Sequence, residues 1–187
     1  DYFEENIKPL IGLAISPPKK GFEDILKMTT EIGIDIIQPL ISERQIKKIS
    51  NQSLKMDRWH SIINESVEQS ERLWRPKLYN FIDINDWIKS LNKNDFVSIS
   101  VTRNDNTIGL RKWILNKKIV KGKDSIMWNV IGPEGGWSQN EIEKFRNLEM
   151  QFIKLSENIL RTSTAAINTA SVLADWRDEL MTSINYS

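Results

Sequence analysis

The sequence predicts an α/β domain built on a mainly parallel sheet with helices packed on it. Short apolar runs alternate with segments of helical period, and Gly, Pro and Ser punctuation falls between them. With 187 residues, 40% of them hydrophobic, and no internal repeat or long Gly/Ser linker, the chain has material for one core and reads as one domain.

The first strand is Ile11-Gly12-Leu13-Ala14-Ile15, closed by Ser16-Pro17-Pro18. Phe22, Ile25, Leu26, Thr29 and Ile32 recur at helical spacing, and Gly33 stands where a helix-ending glycine belongs. Residues 35–40 form a second strand. A long helix is predicted from about Ser53 to Leu73, with Trp59, Ile62, Ile63, Ser66, Val67 and Ser70 on one side. Glu65, Glu68, Gln69 and Arg72 share a neighbouring side, because offsets of three, four and seven return to one face. A short helix near 86–91, a strand at 96–101 and a helix at 107–117 follow.

Residues 125–131 read as a strand, which Gly132-Pro133-Glu134-Gly135-Gly136-Trp137 interrupts. The next helix opens with Ser138 and Glu141 at capping-box spacing. Residues 152–155 form the last strand. The last helix runs from Thr162 to about Met181, with Ile167, Ala170, Leu173, Trp176 and Leu180 as its buried stripe.

Composition removes several function classes. There is no cysteine, so disulfides, thiolate nucleophiles and cysteine-bound zinc are excluded, and His60 as the only histidine argues against a multi-histidine metal site or a histidine-based triad. No metal and no membrane partner is expected. The start Asp1-Tyr2-Phe3-Glu4-Glu5 lacks the basic region of a signal peptide, and a cytoplasmic protein is expected. The 26 basic and 25 acidic residues nearly cancel, so attraction to a nucleic acid must be local.

In parallel sheets ligands gather outside the carboxyl ends of strands, which directs attention to the loops at 132–137 and 155–162. Three glycines in five residues let the first loop take positive φ and approach a ligand closely. The same cluster serves equally well as a tight structural turn. It is not a phosphate-binding P-loop, because the Lys-Ser/Thr pair is absent, and its spacing differs from the dinucleotide GxGxxG. In the second loop, Ile159-Leu160-Arg161 precedes the small residues Ser163-Thr164-Ala165-Ala166.

Taken together, Ile131-Gly132-Pro133-Glu134-Gly135-Gly136-Trp137-Ser138 with Glu141, then Leu155 and Ile159-Leu160-Arg161-Thr162 leading into Thr164-Ala165, resemble the RsmE family of 16S rRNA uridine-N3 methyltransferases in the SPOUT superfamily. Thr30-Glu31-Ile32-Gly33, Pro39-Leu40, Ser42-Glu43-Arg44, Arg58-Trp59, Glu68-Gln69-Ser70, Arg72 and Pro76 extend the resemblance over about residues 11–175. Ser156 and Ser163 depart from it, standing where the family usually has glycine and glutamate. Ser163 is expected to cap the last helix.

The resemblance implies a SPOUT-type mainly parallel sheet with a C-terminal trefoil knot. It implies S-adenosyl-L-methionine as cofactor, bound by Ile131, Gly132, Pro133, Glu134, Gly135, Gly136, Leu155, Asn158, Ile159, Leu160 and Thr164. Arg72 is the first candidate to stabilise the uracil anion, accompanied by Glu68 and Gln69, and Arg161 is the second. A solvated Arg–Glu helix pair is the competing reading of Arg72 and Glu68. Trp74, beside Arg72 and Arg75, serves either as a base-stacking platform or in packing. The implied partners are 16S rRNA or the small ribosomal subunit, and a second copy in a homodimer. Residues 1–10 are expected to link a missing N-terminal PUA-like domain to the SPOUT methyltransferase domain at 11–187. Alternatives are a SPOUT methyltransferase with another RNA target, or a non-catalytic RNA-binding or ribosome-assembly factor of the same fold.

Overall fold

The computed structural model describes residues 8–45, 52–102, 107–117 and 124–185. In chain order the elements are β1 (Leu10–Ile15), α1 (Phe22–Ile32), β2 (Ile36–Ile41), α2 (Gln52–Gln69), β3 (Lys77–Leu78), β4 (Ile82–Asp83) and α3 (Ile84–Ser90). Then come β5 (Phe96–Ser100), β6 (Ile108–Gly109), α4 (Leu110–Leu115), β7 (Ile126–Ile131), α5 (Gln139–Asn147), β8 (Gln151–Lys154) and α6 (Thr162–Asn185). The strands lie in the order β3-β2-β1-β7-β5-β8-β6, with β4 also on β2, and all pairings among the described residues are parallel. Parallel pairing needs crossovers, and the helices supply them.

Both faces of the sheet are covered, as a parallel sheet requires. Side-chain alternation sends Ile11, Leu13, Ile15, Met127 and Ile131 to one face, where they meet Phe22, Ile25 and Leu26 of α1, Trp59 and Ile63 of α2, and Ala166, Ala170 and Leu173 of α6. Ala14, Trp128, Val130 and Ile99 face the other way, against Trp87 of α3 and Phe145 of α5. Gly12 is needed for this second layer. A Cβ there would lie 2.4 Å from the ring of Trp128, its partner across the β1–β7 pair.

Three local expectations change. The helix predicted over 107–117 is a two-residue strand, β6, followed by α4. The long helix ends at Gln69 rather than Leu73, because Glu71 adopts φ 54 and closes a Schellman turn in which Arg72 N–H donates to Val67 O at 3.1 Å and Glu71 N–H to Glu68 O at 3.3 Å. Arg72 is thereby turned off the helix face that Glu68 and Gln69 share. Finally, α6 begins at Thr162, so Ser163 lies in its first turn and not at the N-cap.

Candidate functional site

At the amino ends of β1 and β2 the core holds an ionic cluster. The Asp35 carboxylate accepts from Ile11 N–H at 2.9 Å, from Trp74 Nε1 at 3.1 Å, from Arg72 Nη2 at 3.4 Å and, in a close pair, from Arg177 Nη1. Arg72 Nη1 also donates to the carbonyls of Thr30 (2.8 Å) and Ile34 (2.9 Å), and Arg177 Nη2 to Gly33 O (3.2 Å). The side chains of Asp35, Arg177 and Arg72 are only 1%, 4% and 9% exposed. Burial pulls the Arg72 pKa below its ordinary value, Asp35 opposes that shift and Arg177 adds to it. Arg72 stays a cation nonetheless, and its guanidinium is committed to the turn between α1 and β2. The Trp74 indole N–H is committed likewise, while Glu68 and Gln69 are exposed on α2. The structure does not bring this group to the glycine loop. Five residue steps of the β1–β7 pairing, roughly 17 Å, separate the two ends of the sheet.

At the carboxyl ends the loop 132–138 is held from several sides. Ser16 N–H donates to Ile131 O at 3.0 Å, and Ser16 Oγ to Ser42 Oγ at 3.0 Å, joining the ends of β1, β2 and β7. Trp137 folds back over Gly132, where an added Cβ would lie 2.8 Å from the indole, and its Nε1 donates to Ser100 O at the end of β5 (3.0 Å). Gly136 N–H closes a turn on Pro133 O at 2.8 Å, with Gly136 at φ 70, the left-handed region that glycine enters freely. Gly136 alone of the three loop glycines has positive φ.

The Ser138–Glu141 capping box forms as predicted, with Ser138 N–H donating to Glu141 Oε2 at 2.7 Å and Glu141 N–H to Ser138 Oγ at 3.1 Å. The buried Glu141 carboxylate also reaches across to the segment after β2, where its Oε1 accepts from Glu43 N–H at 3.0 Å. Arg44 Nη1 then donates to Gly135 O at 3.2 Å. The segment Ser42–Arg44, which the sequence marked only as part of a resemblance, therefore braces the loop. Serine, acid and arginine within three residues of a strand end is a signal that loop-by-loop reading passed over.

The loop after β8 emerges at the same end of the sheet, two strand places from β7, roughly 10 Å. Ser156 Oγ accepts from Asn158 N–H at 3.1 Å, so serine supplies a side-chain turn where the resembled family has glycine. Its backbone is not in the left-handed region, which removes the need for glycine here. Leu155 and Leu160 are half-buried, whereas Asn158, Ile159, Arg161 and Thr164 are exposed. Arg161 O accepts from Ala165 N–H at 2.8 Å, starting α6.

Beneath both loops lies a buried polar network. Asn129 Oδ1 accepts from Thr169 Oγ1 (3.0 Å) and Ser100 Oγ (2.9 Å), and its Nδ2 donates to Ser98 Oγ (2.9 Å). These bonds tie β5, β7 and α6 together under the loops, with every polar group of Asn129 directed at a partner.

The arrangement suits a small ligand recognised through main-chain groups. The first loop offers N–H and carbonyl groups, and a Cβ at Gly136 would meet nothing within 4 Å, so that side of the loop borders open space. Leu155, Ile159 and Leu160 offer apolar surface. Among the described residues no cluster of acidic or histidine side chains could hold a metal ion, and no helix is long and apolar enough to cross a membrane.

Residues 5–174 match the family described as the RNA methyltransferase domain. The chain belongs to that family. Two relatives of this methyltransferase family, both named ribosomal RNA small subunit methyltransferase E, share its sequence over most of its length. The Synechocystis protein is 36% identical, covering 87% of this chain and 52% of its own length. The Mesomycoplasma hyopneumoniae protein is 33% identical, covering 88% and 68%. The chain thus spans 52% and 68% of the length of these two relatives. A crystal structure of the Neisseria gonorrhoeae methyltransferase E, bound to S-adenosyl methionine, superposes with a TM-score of 0.74 at 26% identity, covering 90% of this chain and 67% of that one.

Proposed function

We propose that this domain binds S-adenosyl-L-methionine between loops 132–136 and 155–161 and transfers its methyl group to uracil N3 of a uridine in 16S ribosomal RNA. The observation that carries the reading is the shared position of the two loops at the carboxyl ends of β7 and β8, with Gly135 exposed and Gly136 bordering open space on the first of them. Relatives named for methylation of small-subunit ribosomal RNA and a neighbour crystallised with S-adenosyl methionine support it. The C-terminal knot, the PUA-like domain preceding residue 11, the cytoplasmic location and a homodimer belong to the same proposal.

When bound, the cofactor supplies an electrophilic methyl carried on a sulfonium. The chain's own work is positioning. Ile131 to Gly136, Leu155 and Asn158 to Leu160 would hold the adenosyl and methionyl parts through main chain and apolar contact, with Thr164 at the start of α6. The uridine must give up its N3 proton, N3 bonds to the methyl carbon as the carbon–sulfur bond breaks, and the neutral thioether departs. A cation near the uracil oxygens lowers the cost of that proton loss. Of the two arginines first considered, Arg161 is exposed beside the second loop and takes this role, whereas Arg72 is occupied by Asp35 and two carbonyls.

The test is calorimetry of S-adenosylmethionine with the full-length protein, followed by mass spectrometry of ribosomal RNA from cells with and without it. Saturable binding and loss of one methyluridine are expected. Cofactor binding with unchanged ribosomal RNA would point to another RNA target. No cofactor affinity would overturn the enzymatic reading in favour of a binding factor.

A further inference from the structure

The glycine loop has an arginine fastened to it that no part of the proposed chemistry uses. Arg44 follows the strand end in a turn closed by Gln45 N–H on Ser42 O at 3.2 Å, and that turn is anchored on both flanks, by the buried Ser42–Ser16 bond and by Glu43 N–H on Glu141. The stem of Arg44 lies over Gly135, whose added Cβ would sit 3.6 Å from Arg44 Cβ in ordinary contact, and the guanidinium reaches Gly135 O. One of its five N–H groups makes that bond, the residue is exposed, and no carboxylate pairs with it among the described residues. Glu43 and Glu134, both exposed, are the acidic side chains on the same two loops.

Neighbouring geometry extends the positive charge. The β1–α1 loop, joined to this turn through Ser16, carries Lys19 and Lys20, both exposed and without a carboxylate partner among the described residues. The near-zero net charge leaves no general attraction for RNA, so a local set of cations has to supply it. An arginine pre-positioned by a main-chain carbonyl, with planar donors left over, fits a phosphodiester better than a lysine would.

We propose that Arg44, held in place by its bond to Gly135 O, binds a phosphate of the RNA strand next to the target nucleotide. The inference rests on the methyltransferase reading above. It is tested in the full-length protein by measuring affinity for small-subunit ribosomal RNA as a function of salt, together with S-adenosylmethionine affinity, for the wild type, Arg44→Ala, Arg44→Lys and the control Arg58→Ala. Arg58 is similarly exposed but paired with Glu23 on another part of the surface.

Arg44→Ala is expected to weaken RNA binding and to make the log–log salt slope shallower by about 0.7–0.9, the value of one phosphate contact. Arg44→Lys should keep most of the slope, Arg58→Ala all of it, and cofactor affinity should stay within about threefold, since loss of one exposed hydrogen bond has a small net effect. An unchanged slope in Arg44→Ala, or an equal change in Arg58→Ala, overturns the proposal. So does a loss confined to cofactor affinity, which would make Arg44 only a brace. If the wild type methylates RNA while Arg44→Ala is indistinguishable from it, this inference alone fails. If the wild type binds neither RNA nor cofactor, the methyltransferase reading fails with it.

Discussion

At the amino ends of β1 and β2, Asp35 gathers Arg72, Arg177, the Trp74 indole and the Ile11 amide into a network almost closed to solvent. At the carboxyl ends of the same sheet, Arg44 and Arg161 stand exposed beside loops built from glycine and short turns. One helix connects the two: α6 starts at Thr162, next to Arg161, crosses the sheet where Thr169 meets Asn129, and delivers Arg177 to Asp35 about 22 Å from its start. The same residue type serves stability at one end and is available to a ligand at the other. What separates the uses is burial. A guanidinium walled off from solvent and bonded to buried carbonyls and a carboxylate cannot reach a substrate, whatever motif surrounds it.

The sharpest way to break that comparison is to remove its anchor. Asp35→Ala leaves two buried cations unpaired and is expected to cost about 3–5 kcal/mol, enough to unfold a marginal domain. Urea denaturation followed by circular dichroism measures it. A milder variant asks the question directly: Arg72→Ala strands the Thr30 and Ile34 carbonyls and should lower stability by about 2–4 kcal/mol, while protein that remains folded at low temperature keeps its cofactor affinity. Full stability with lost methyl transfer would return Arg72 to the chemistry.

At the other end, Gly132→Val drives a side chain into Trp137. Overpacking costs about 1–3 kcal/mol, and displacement of the loop should weaken S-adenosylmethionine binding by about five- to hundredfold in calorimetry. Undiminished affinity would make this loop a turn and nothing more. Smaller still is Thr169→Ala, which removes one donor from Asn129 and should cost about 1 kcal/mol in denaturant unfolding.

The least effect belongs to His60. Burial and the Arg75 charge lower its pKa below the ordinary 6.5, with Asp57 opposing. The unfolded chain therefore binds the proton first, so stability is full above the unfolded pKa and declines as pH falls toward the folded one. His60→Gln should flatten this slight slope in unfolding curves taken between pH 5 and about 7.5.

Much of the fold was legible because its signals are local. Short apolar runs, the Ser138–Glu141 cap and Gly33 at the end of α1 each depend on a few adjacent residues, and each formed where it was read. The short strands β3, β4 and β6 were not read, since two residues carry no periodicity. The position of the two loops was legible through strand order and family resemblance. The brace of Ser42, Glu43 and Arg44 was not, because its partners Ser16, Glu141 and Gly135 lie 26, 98 and 91 residues away.

Arg72 illustrates the boundary. Extending the helical period past Ser70 placed it beside Glu68 and Gln69, but a single residue, Glu71, enters the left-handed region and redirects the chain. The sequence by itself determined the longer strands and helices, the packing of helices on the sheet and the glycine-rich character of the first loop, because spacing and residue type act over one or two turns. Which arginine is walled in and which is free was decided only by the tertiary structure. Burial of a guanidinium depends on where distant carbonyls and carboxylates come to rest, and no local pattern encodes that.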